Sequence, residues 1–175
     1  MSSSRGAATS TAPLLVRLAR PEEYEAIGNL VADAYRDEGF VHGAYLDVLR
    51  NAARRATEAE LLVAIGRDDQ IAGTITYAAG GTPFADVAGP GEAEFRMLAV
   101  APETRGQGVG ERLVLACIER ARAQGRARLV ISTQAEMEIA HRLYERLGFV
   151  RAPKRDWSPE PGVQLRVYRL DLGNA

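Results

Sequence analysis

The apolar positions of the chain follow helical spacing in some segments and strand-like alternation in others. A short apolar run over 14–18 predicts a strand that ends before Pro21, because proline and the two acids after it suit the first turn of a helix. From Tyr24 to Tyr35 the apolar residues recur at spacings of three and four, which predicts a helix with one apolar face. A weaker pattern of the same kind predicts a helix over 45–56.

Strand and turn signals dominate the middle of the chain. The apolar run 61–65, the turn residues 66–70 and the β-branched segment 71–77 predict a hairpin. Residues 80–91 contain four glycines and two prolines, too many for a regular element, and therefore predict a long loop. A strand is predicted over 92–100, where apolar and polar residues alternate.

The strand over 92–100 should present its side chains alternately on two faces of a sheet. One face would carry Glu94, Arg96, Leu98 and Val100, and the other Phe95, Met97 and Ala99. Glu94 is therefore expected on the same side of the sheet as Leu98. The elements predicted after this strand are helices from 110 to Gly125 and over 135–147, and strands over 129–131, 149–151 and 164–172.

Length and charge limit the classes of function. A chain of 175 residues is long enough to bury a core without disulfides, and we expect one domain over 13–175 after a flexible leader over 1–12. The formal net charge of -1 gives no electrostatic reason to expect nucleic acid or an anionic membrane as a partner. No stretch approaches the roughly 18 to 20 apolar residues that span a bilayer.

Cysteine usage argues against a metal centre. Cys117 is the only cysteine, so neither an intrachain disulfide nor a thiolate metal cluster can form. No cluster of His, Cys and carboxylate residues has ligand spacing, and we expect no metal. A reducing compartment, the cytoplasm, fits this composition best.

A glycine-rich turn between a predicted strand and a predicted helix has the properties of an anion site. The first amides of a helix lack partners within the helix, and the helix dipole is positive at that end. Gly106, Gly108 and Gly110 remove side chains where a phosphate must approach the backbone, and Arg105 adds a positive charge. A pyrophosphate would fit, although a tight turn that merely needs glycines has the same pattern.

Two common phosphate-binding signatures do not match this turn. A Walker-type loop ends in Gly-Lys-Ser/Thr, whereas Gly110 is followed by Glu111 and Arg112. A dinucleotide fingerprint has a different glycine spacing and usually opens a domain, whereas this turn lies at mid-chain after several predicted strands. An NTPase or a Rossmann-type protein is therefore disfavoured.

Two segments resemble the signatures of the GNAT superfamily of N-acetyltransferases. Residues 98–110 resemble its acetyl-CoA-binding motif, in which a strand leads into an Arg/Gln-x-x-Gly-x-Gly/Ala turn. Residues 140–149 resemble its helix that carries Leu-Tyr and ends at Gly-Phe. The resemblance covers nearly the whole chain after the leader. It implies an α/β GNAT fold with a mixed, mostly antiparallel central sheet of about six to seven strands, flanked by about four helices.

The resemblance implies that acetyl-CoA is the co-substrate. It assigns the CoA pyrophosphate to the backbone amides of Arg105, Gly106, Gln107, Gly108, Val109 and Gly110. It assigns the pantetheine arm to the backbone of Leu98, Ala99 and Val100, and the thioester carbonyl to the amide of Leu98 or Ala99. At Met137 the chain departs from the family, where many members carry an asparagine that bonds the pantetheine. Methionine loses that contact but packs against an apolar arm.

Amide formation from a thioester requires a neutral amine, stabilisation of an oxyanion and protonation of the departing thiolate. The resemblance makes Tyr144 the general acid, because it stands where family members keep a phenol near the CoA sulfur. Glu94 is the first candidate for a base or a water-relaying carboxylate, and Glu92 is the second. Proton removal through water alone remains open, since many family members deprotonate the amine in that way.

The acceptor site is expected in loops. His42 and the pair Asp156 and Trp157 lie in connections where the family often builds its acceptor pocket, and a carboxylate and an indole could attract a cationic amine. His141 is expected at the surface beside the helix stripe. The predicted activity is acetyl transfer to a primary amine of a small molecule or peptide, by direct attack in a ternary complex. The alternative is a non-catalytic acyl-CoA-binding regulatory module. A homodimer is common in this family.

Overall fold

The structure is a computed structural model that describes residues 14–39 and 43–173. A mixed sheet lies at its centre. Its strands are β1 (Leu15–Leu18), β2 (Glu60–Ile65), β3 (Ile71–Ala79), β4 (Glu92–Val100), β5 (Arg128–Gln134), β6 (Val150–Arg151) and β7 (Leu165–Asp171). They lie in the order β1-β2-β3-β4-β5-β7-β6, and each pair is antiparallel except β4 with β5. The prediction of a mostly antiparallel mixed sheet and the predicted hairpin, formed by β2 and β3, are both confirmed.

Five helices accompany the sheet in the described part of the chain. They are α1 (Tyr24–Asp37), α2 (Tyr45–Arg50), α3 (Ala52–Glu58), α4 (Val109–Ala123) and α5 (Glu138–Arg146). The single helix predicted over 45–56 is wrong, because Asn51 leaves the helical conformation at ψ 68°. The side chain of Asn51 accepts a hydrogen bond from the amide of Arg54, so it caps α3 and ends α2 at the same point.

The helices pack on both faces of the sheet. On one face, Ile27 of α1 and Ala52 of α3 pack against Leu61 and Val63 of β2. On the other face, the alternate β2 residue Leu62 joins a cluster with buried residues of α4 and α5. This alternation is the two-residue period expected of a strand that is covered on both sides.

β4 contains a bulge that reverses its alternation. The register with β3 passes from Thr74 opposite Ala99 to Thr76 opposite Arg96, so β4 has one extra residue, and Met97 has a φ of 53°. Phe95 and the later Leu98 both contact the α4 cluster, whereas Met97 and Ala99 pack toward α1 and α2.

The expectation that Glu94 and Leu98 share a face is therefore wrong. A regular strand would keep residues four positions apart on one side, but the extra residue at Met97 shifts the later ones by one step. Glu94 alternates with Phe95 and so faces the α1 and α2 side, while Leu98 faces α4 and α5.

β4 and β5 separate after a short parallel ladder. Their register covers Glu92 with Arg128 through Glu94 with Val130 and then stops. Beyond that point β4 continues with β3 to Val100, and β5 continues with β7 to Gln134. The diverging strands leave an opening in the middle of the sheet. Among the described residues, none of the helices has the length and apolar composition needed to cross a membrane.

Candidate active site

A cavity of about 370 Å³ occupies the opening between β4 and β5. Its walls come from both separated strands, from α1, α2 and α5, from the loop between β3 and β4, and from the connection before β7. Its lining includes Tyr35, Tyr45, Asp86, Arg96, Ser132, Met137, Tyr144, Trp157 and Glu160. The cavity thus reaches from the α5 side of the sheet to the α1 and α2 side.

The glycine-rich turn has the backbone geometry of an anion site. Gly106 and Gly108 adopt left-handed conformations with φ of 74° and 79°, and α4 begins at Val109 directly after them. Among the hydrogen bonds of the described residues, none uses the amides of Gly106, Gly108, Val109, Gly110 or Glu111 as a donor. These N–H groups at the positive end of a fifteen-residue helix are free to bind an anion.

Side chains around the turn keep it in place. The Val109 side chain is buried, and the side-chain amide of Gln107 donates a hydrogen bond to the backbone carbonyl of Glu103 at 3.0 Å. Arg105 lies 3.9 Å from a carboxylate oxygen of Glu38, so part of its charge is already balanced. At Gly110 a β-carbon would lie 3.6 Å from Leu143 of α5, an ordinary van der Waals contact.

Tyr144 borders the cavity from α5. Its ring packs against Phe95, Phe149 and Tyr168 with centroid distances of 5.5 to 6.2 Å, and 3% of the residue is exposed. Burial raises the pKa of the phenol, which keeps it protonated at neutral pH. Met137, immediately before α5, lines the cavity as well.

Residues 24–149 match the model of the Acetyltransferase (GNAT) family, which is more than two thirds of the chain. The chain belongs to this GNAT family. The sequence-based identification of the family is thereby confirmed.

Relatives of this GNAT chain include one curated protein. N-alpha-acetyltransferase 30 of Schizosaccharomyces pombe is 40% identical over 55 residues, which make up 31% of this chain and 37% of that protein. The chain therefore matches little more than a third of the length of this relative.

Solved GNAT structures share the fold along most of the chain. A GNAT acetyltransferase from Staphylococcus aureus Mu50 has a TM-score of 0.74 at 16% identity, over 92% of this chain and 100% of the other. A GNAT acetyltransferase from Brucella melitensis in complex with acetyl-CoA has a TM-score of 0.61 at 22% identity, over 92% of this chain and 89% of the other.

Glu94 of this GNAT domain does not line the cavity. Its side chain is fully buried, and its Oε2 accepts hydrogen bonds from the amides of Val87 at 2.9 Å and Ala88 at 3.1 Å. Oε1 has no partner among the described residues. Burial raises the pKa of this carboxyl, while the two amides partly oppose that effect. The geometry makes Glu94 an anchor for the loop between β3 and β4.

Glu92, the second candidate base, forms ion pairs with two arginines. It is 2.7 Å from Arg155 and 3.2 Å from Arg128, and it accepts the amide of Gly89 at 2.9 Å. Burial opposes ionisation of Glu92, but these hydrogen bonds outweigh it and lower its pKa to about 2. A carboxylate held in this way is a poor proton acceptor at neutral pH.

The pair Asp86 and Arg96 brings charge to the cavity, and the sequence analysis assigned no role to Asp86. Arg96 lies 2.7 Å from Oδ2 of Asp86 and donates to the carbonyl of Phe84 at 3.2 Å. Nothing in the local sequence marks Asp86, because it lies in a glycine- and proline-rich loop. The only available signal was the combination of an acid in this loop with an arginine, Arg96, in the strand that follows it.

The predicted acceptor residues Asp156 and Trp157 separate in the structure. Trp157 lines the cavity, and its indole Nε1 donates to Ser132 Oγ at 2.9 Å. Asp156 instead pairs with Arg151 at 2.7 Å and accepts the amide of Val167 at 2.8 Å. The hydrogen bond from Arg151 lowers the pKa of Asp156. This carboxylate therefore holds β6 and β7 together and does not face the cavity.

The two histidines have different outcomes. His42 falls outside the described residues. The surface position expected for His141 is wrong, because this residue is buried, with Nε2 3.0 Å from the carbonyl oxygen of Gln134. Its ring stacks on Tyr168 with the centroids 5.3 Å apart, and burial lowers its pKa. The stripe of α5 that meets the sheet is thus wider than the apolar residues alone indicate.

Proposed function

We propose that this chain is an N-acetyltransferase that transfers an acetyl group from acetyl-CoA to a primary amine, by direct attack in a ternary complex. The observation that carries the proposal is the junction of three features: separated strands, a helix that opens with free amides, and a buried phenol on the cavity between them. Membership of an acetyltransferase family supports acetyl-CoA as the donor.

The cofactor would extend from the glycine-rich turn into the cavity. The start of the α4 dipole and the free amides of 106 and 108–111 favour the pyrophosphate. The edge of β4 at Leu98–Val100 no longer faces β5, so its backbone can pair with the amides of the pantetheine arm. Met137 lies beside this path and supplies apolar contact. A Brucella melitensis relative of the same fold holds acetyl-CoA.

The reaction requires one bond to form and one to break. The lone pair of the neutral amine attacks the thioester carbonyl carbon, and the carbonyl oxygen takes the negative charge near the amide of Leu98 or Ala99. Collapse of this intermediate breaks the C–S bond. The sulfur takes a proton from Tyr144, and the proton released by the amine nitrogen returns to the phenol through water.

Water is the proton carrier in this scheme because the two glutamates of β4 are otherwise engaged. Glu94 is bound to loop amides and Glu92 to two arginines. A cytoplasmic setting, where acetyl-CoA and reducing conditions occur together, suits a protein with one buried thiol at Cys117.

The test is calorimetric titration of acetyl-CoA into the purified protein, followed by a mass-spectrometric screen of a panel of primary amines with acetyl-CoA present. Saturable one-site binding and acetylation of at least one amine are expected. Absence of acetyl-CoA binding would overturn the proposal. Binding without acetylation of any amine would favour the regulatory module.

A further inference from the structure

The loop between β3 and β4 is fixed to the sheet by three alternate residues of β4. Arg96 donates to the carbonyl of Phe84, Glu94 accepts the amides of Val87 and Ala88, and Glu92 accepts the amide of Gly89. These glutamates and Arg96 precede the bulge, so they project from the same face of the strand. The backbone of 84–89 is thus held on both sides of residue 86.

Asp86 is the residue of this loop whose side chain reaches the cavity. Its Oδ2 is 2.7 Å from Arg96, and its Oδ1 has no hydrogen-bond or ion-pair partner within the part of the chain that the structure describes. A carboxylate oxygen with free lone pairs, held by a fixed backbone and a fixed partner, can accept N–H donors from a ligand with little loss of side-chain entropy.

The positive charge of Arg96 is not available to a ligand carboxylate. Arg96 is the only cation among the described residues that line the cavity, and its guanidinium is already bound to Asp86 and Phe84. The other charged group of the lining is the carboxylate of Glu160. A ligand carboxylate would therefore meet two acids and no free cation, which costs desolvation and repulsion.

Aromatic residues also line the cavity. Tyr35 and Tyr45 come from α1 and α2, and Trp157 comes from the connection before β7. Aromatic faces bind ammonium groups and neutral organic bodies, but they provide no compensation for a carboxylate.

We propose that Asp86 determines acceptor specificity by binding the acceptor's amino group, and that the site selects amines with no carboxylate beside that group. This inference rests on the proposed acetyltransferase function. The substrate class is then peptide N-termini and neutral-bodied amines, and free α-amino acids are disfavoured. Arg96 and Glu94 are positioning residues, because they act through Asp86 and its backbone.

The experiment compares matched acceptors. Wild-type protein and Asp86→Asn are assayed for kcat/KM with alanine, phenylalanine and the corresponding amino-acid amides. The wild type is expected to prefer the amides. The substitution should lower kcat/KM for the amides by about tenfold or more, because a charged hydrogen bond is lost. It should also lower the ratio of amide to acid activity by at least that factor, since Arg96 becomes free to pair with a ligand carboxylate.

Comparison of the ratios excludes amine basicity as the cause, and a control variant excludes a general effect of changing an acid to an amide. Amides and acids differ in amine basicity, but that difference is the same for both proteins and cancels when the ratios are compared. Asp69→Asn is the control, because Asp69 lies exposed in the turn between β2 and β3, does not line the cavity and makes the same change of acid to amide. Its ratio and the KM for acetyl-CoA should stay at wild-type values.

Glu94 provides an independent check of the positioning role. Glu94→Ala removes the acceptor of two loop amides and should raise the acceptor KM several-fold. Glu94→Gln keeps a side-chain oxygen for those amides and should restore most of the loss. A thermal unfolding scan of both variants separates loss of folding from loss of positioning.

The outcomes distinguish the two proposals. If the protein binds no acetyl-CoA, the proposed function fails and the inference fails with it. If it binds acetyl-CoA but acetylates the free acids as well as the amides, only the inference is overturned. The same holds if it acetylates neither but acetylates another amine of the panel, whereas acetylation of no amine overturns both proposals. An unchanged ratio in Asp86→Asn also overturns it.

Discussion

The indole of Trp157 donates a hydrogen bond to Ser132 across 2.9 Å, and both residues line the cavity. Ser132 belongs to β5 and Trp157 to the connection before β7. This side-chain hydrogen bond adds a link to β5 beside the backbone pairing of Trp157 with Leu165 of β7.

This hydrogen bond should be measurable as a coupling energy. We expect Trp157→Phe and Ser132→Ala each to lower the free energy of unfolding, and the double variant to lose about 1 kcal/mol less than the sum. Urea unfolding of the four proteins of this cycle gives the coupling. Strict additivity of the two single changes would show that the contact contributes nothing to stability.

Tyr144→Phe should separate catalysis from binding. Removal of the phenol proton should lower kcat about a hundredfold or more, because a proton donor to the sulfur is lost. The Kd for acetyl-CoA should change by less than about twofold, since the ring and its packing remain. Steady-state kinetics with the best amine of the panel and calorimetry provide the two numbers.

Tyr168→Phe is the matched control for that prediction. Tyr168 is also buried and its ring lies 6.2 Å from that of Tyr144, but it does not line the cavity. Its kcat should equal that of the wild type. An equal loss in both variants would attribute the effect to core packing.

Gly108→Asp should abolish acetyl-CoA binding. The change adds a negative charge where the pyrophosphate is expected and strains a residue at φ 79°. Gly125→Asp is the control, because Gly125 has φ 65° and, like Gly108, open space around its missing β-carbon. Both variants should lose comparable stability in thermal scans, but calorimetry should detect acetyl-CoA binding only in the control.

Glu92 should make stability depend on pH. Its pKa is about 2 in the folded protein, below the ordinary value near 4.5, so its stabilisation is complete above pH 4.5 and is lost as the pH falls toward 2. Glu92→Gln should therefore cost about 2 kcal/mol at pH 7 and progressively less in acid.

Urea unfolding at several pH values tests this prediction. The exposed Glu119, which changes to Gln without loss of an ion pair within the described residues, is the reference. A cost for Glu92→Gln that is constant from pH 7 to pH 3 would show that packing, and not the charge, is responsible.

Local patterns were sufficient for most of the elements and for the position of the glycine-rich turn. The hairpin of β2 and β3, the long loop after β3, the turn before α4 and the helix with Tyr144 all follow from short-range signals such as β-branched runs, glycines and helical spacing. These features depend on neighbours within a few residues, so the sequence contains them directly.

The cavity walls away from the glycine-rich turn depend on contacts between distant segments, which local patterns do not predict. One extra residue at Met97 places Glu94 and Leu98 on opposite faces, and strict alternation gives no warning of it. The pairing of Arg96 with Asp86 and of Trp157 with Ser132 requires the loops to fold back on particular strands. The burial of His141 likewise follows from Tyr168, a residue 27 positions later along the chain.

The loop segment 84–89 is held in place by Glu92, Glu94 and Arg96, which are residues of β4. The residues that hold the loop belong to the sheet, whereas Asp86, which lines the cavity, belongs to the loop. The backbone conformation of the loop is therefore fixed by its contacts with β4. In the proposed scheme, a substitution at position 86 alone would change which amine is accepted and leave the anchoring residues in place, so related proteins could differ in acceptor by a single residue.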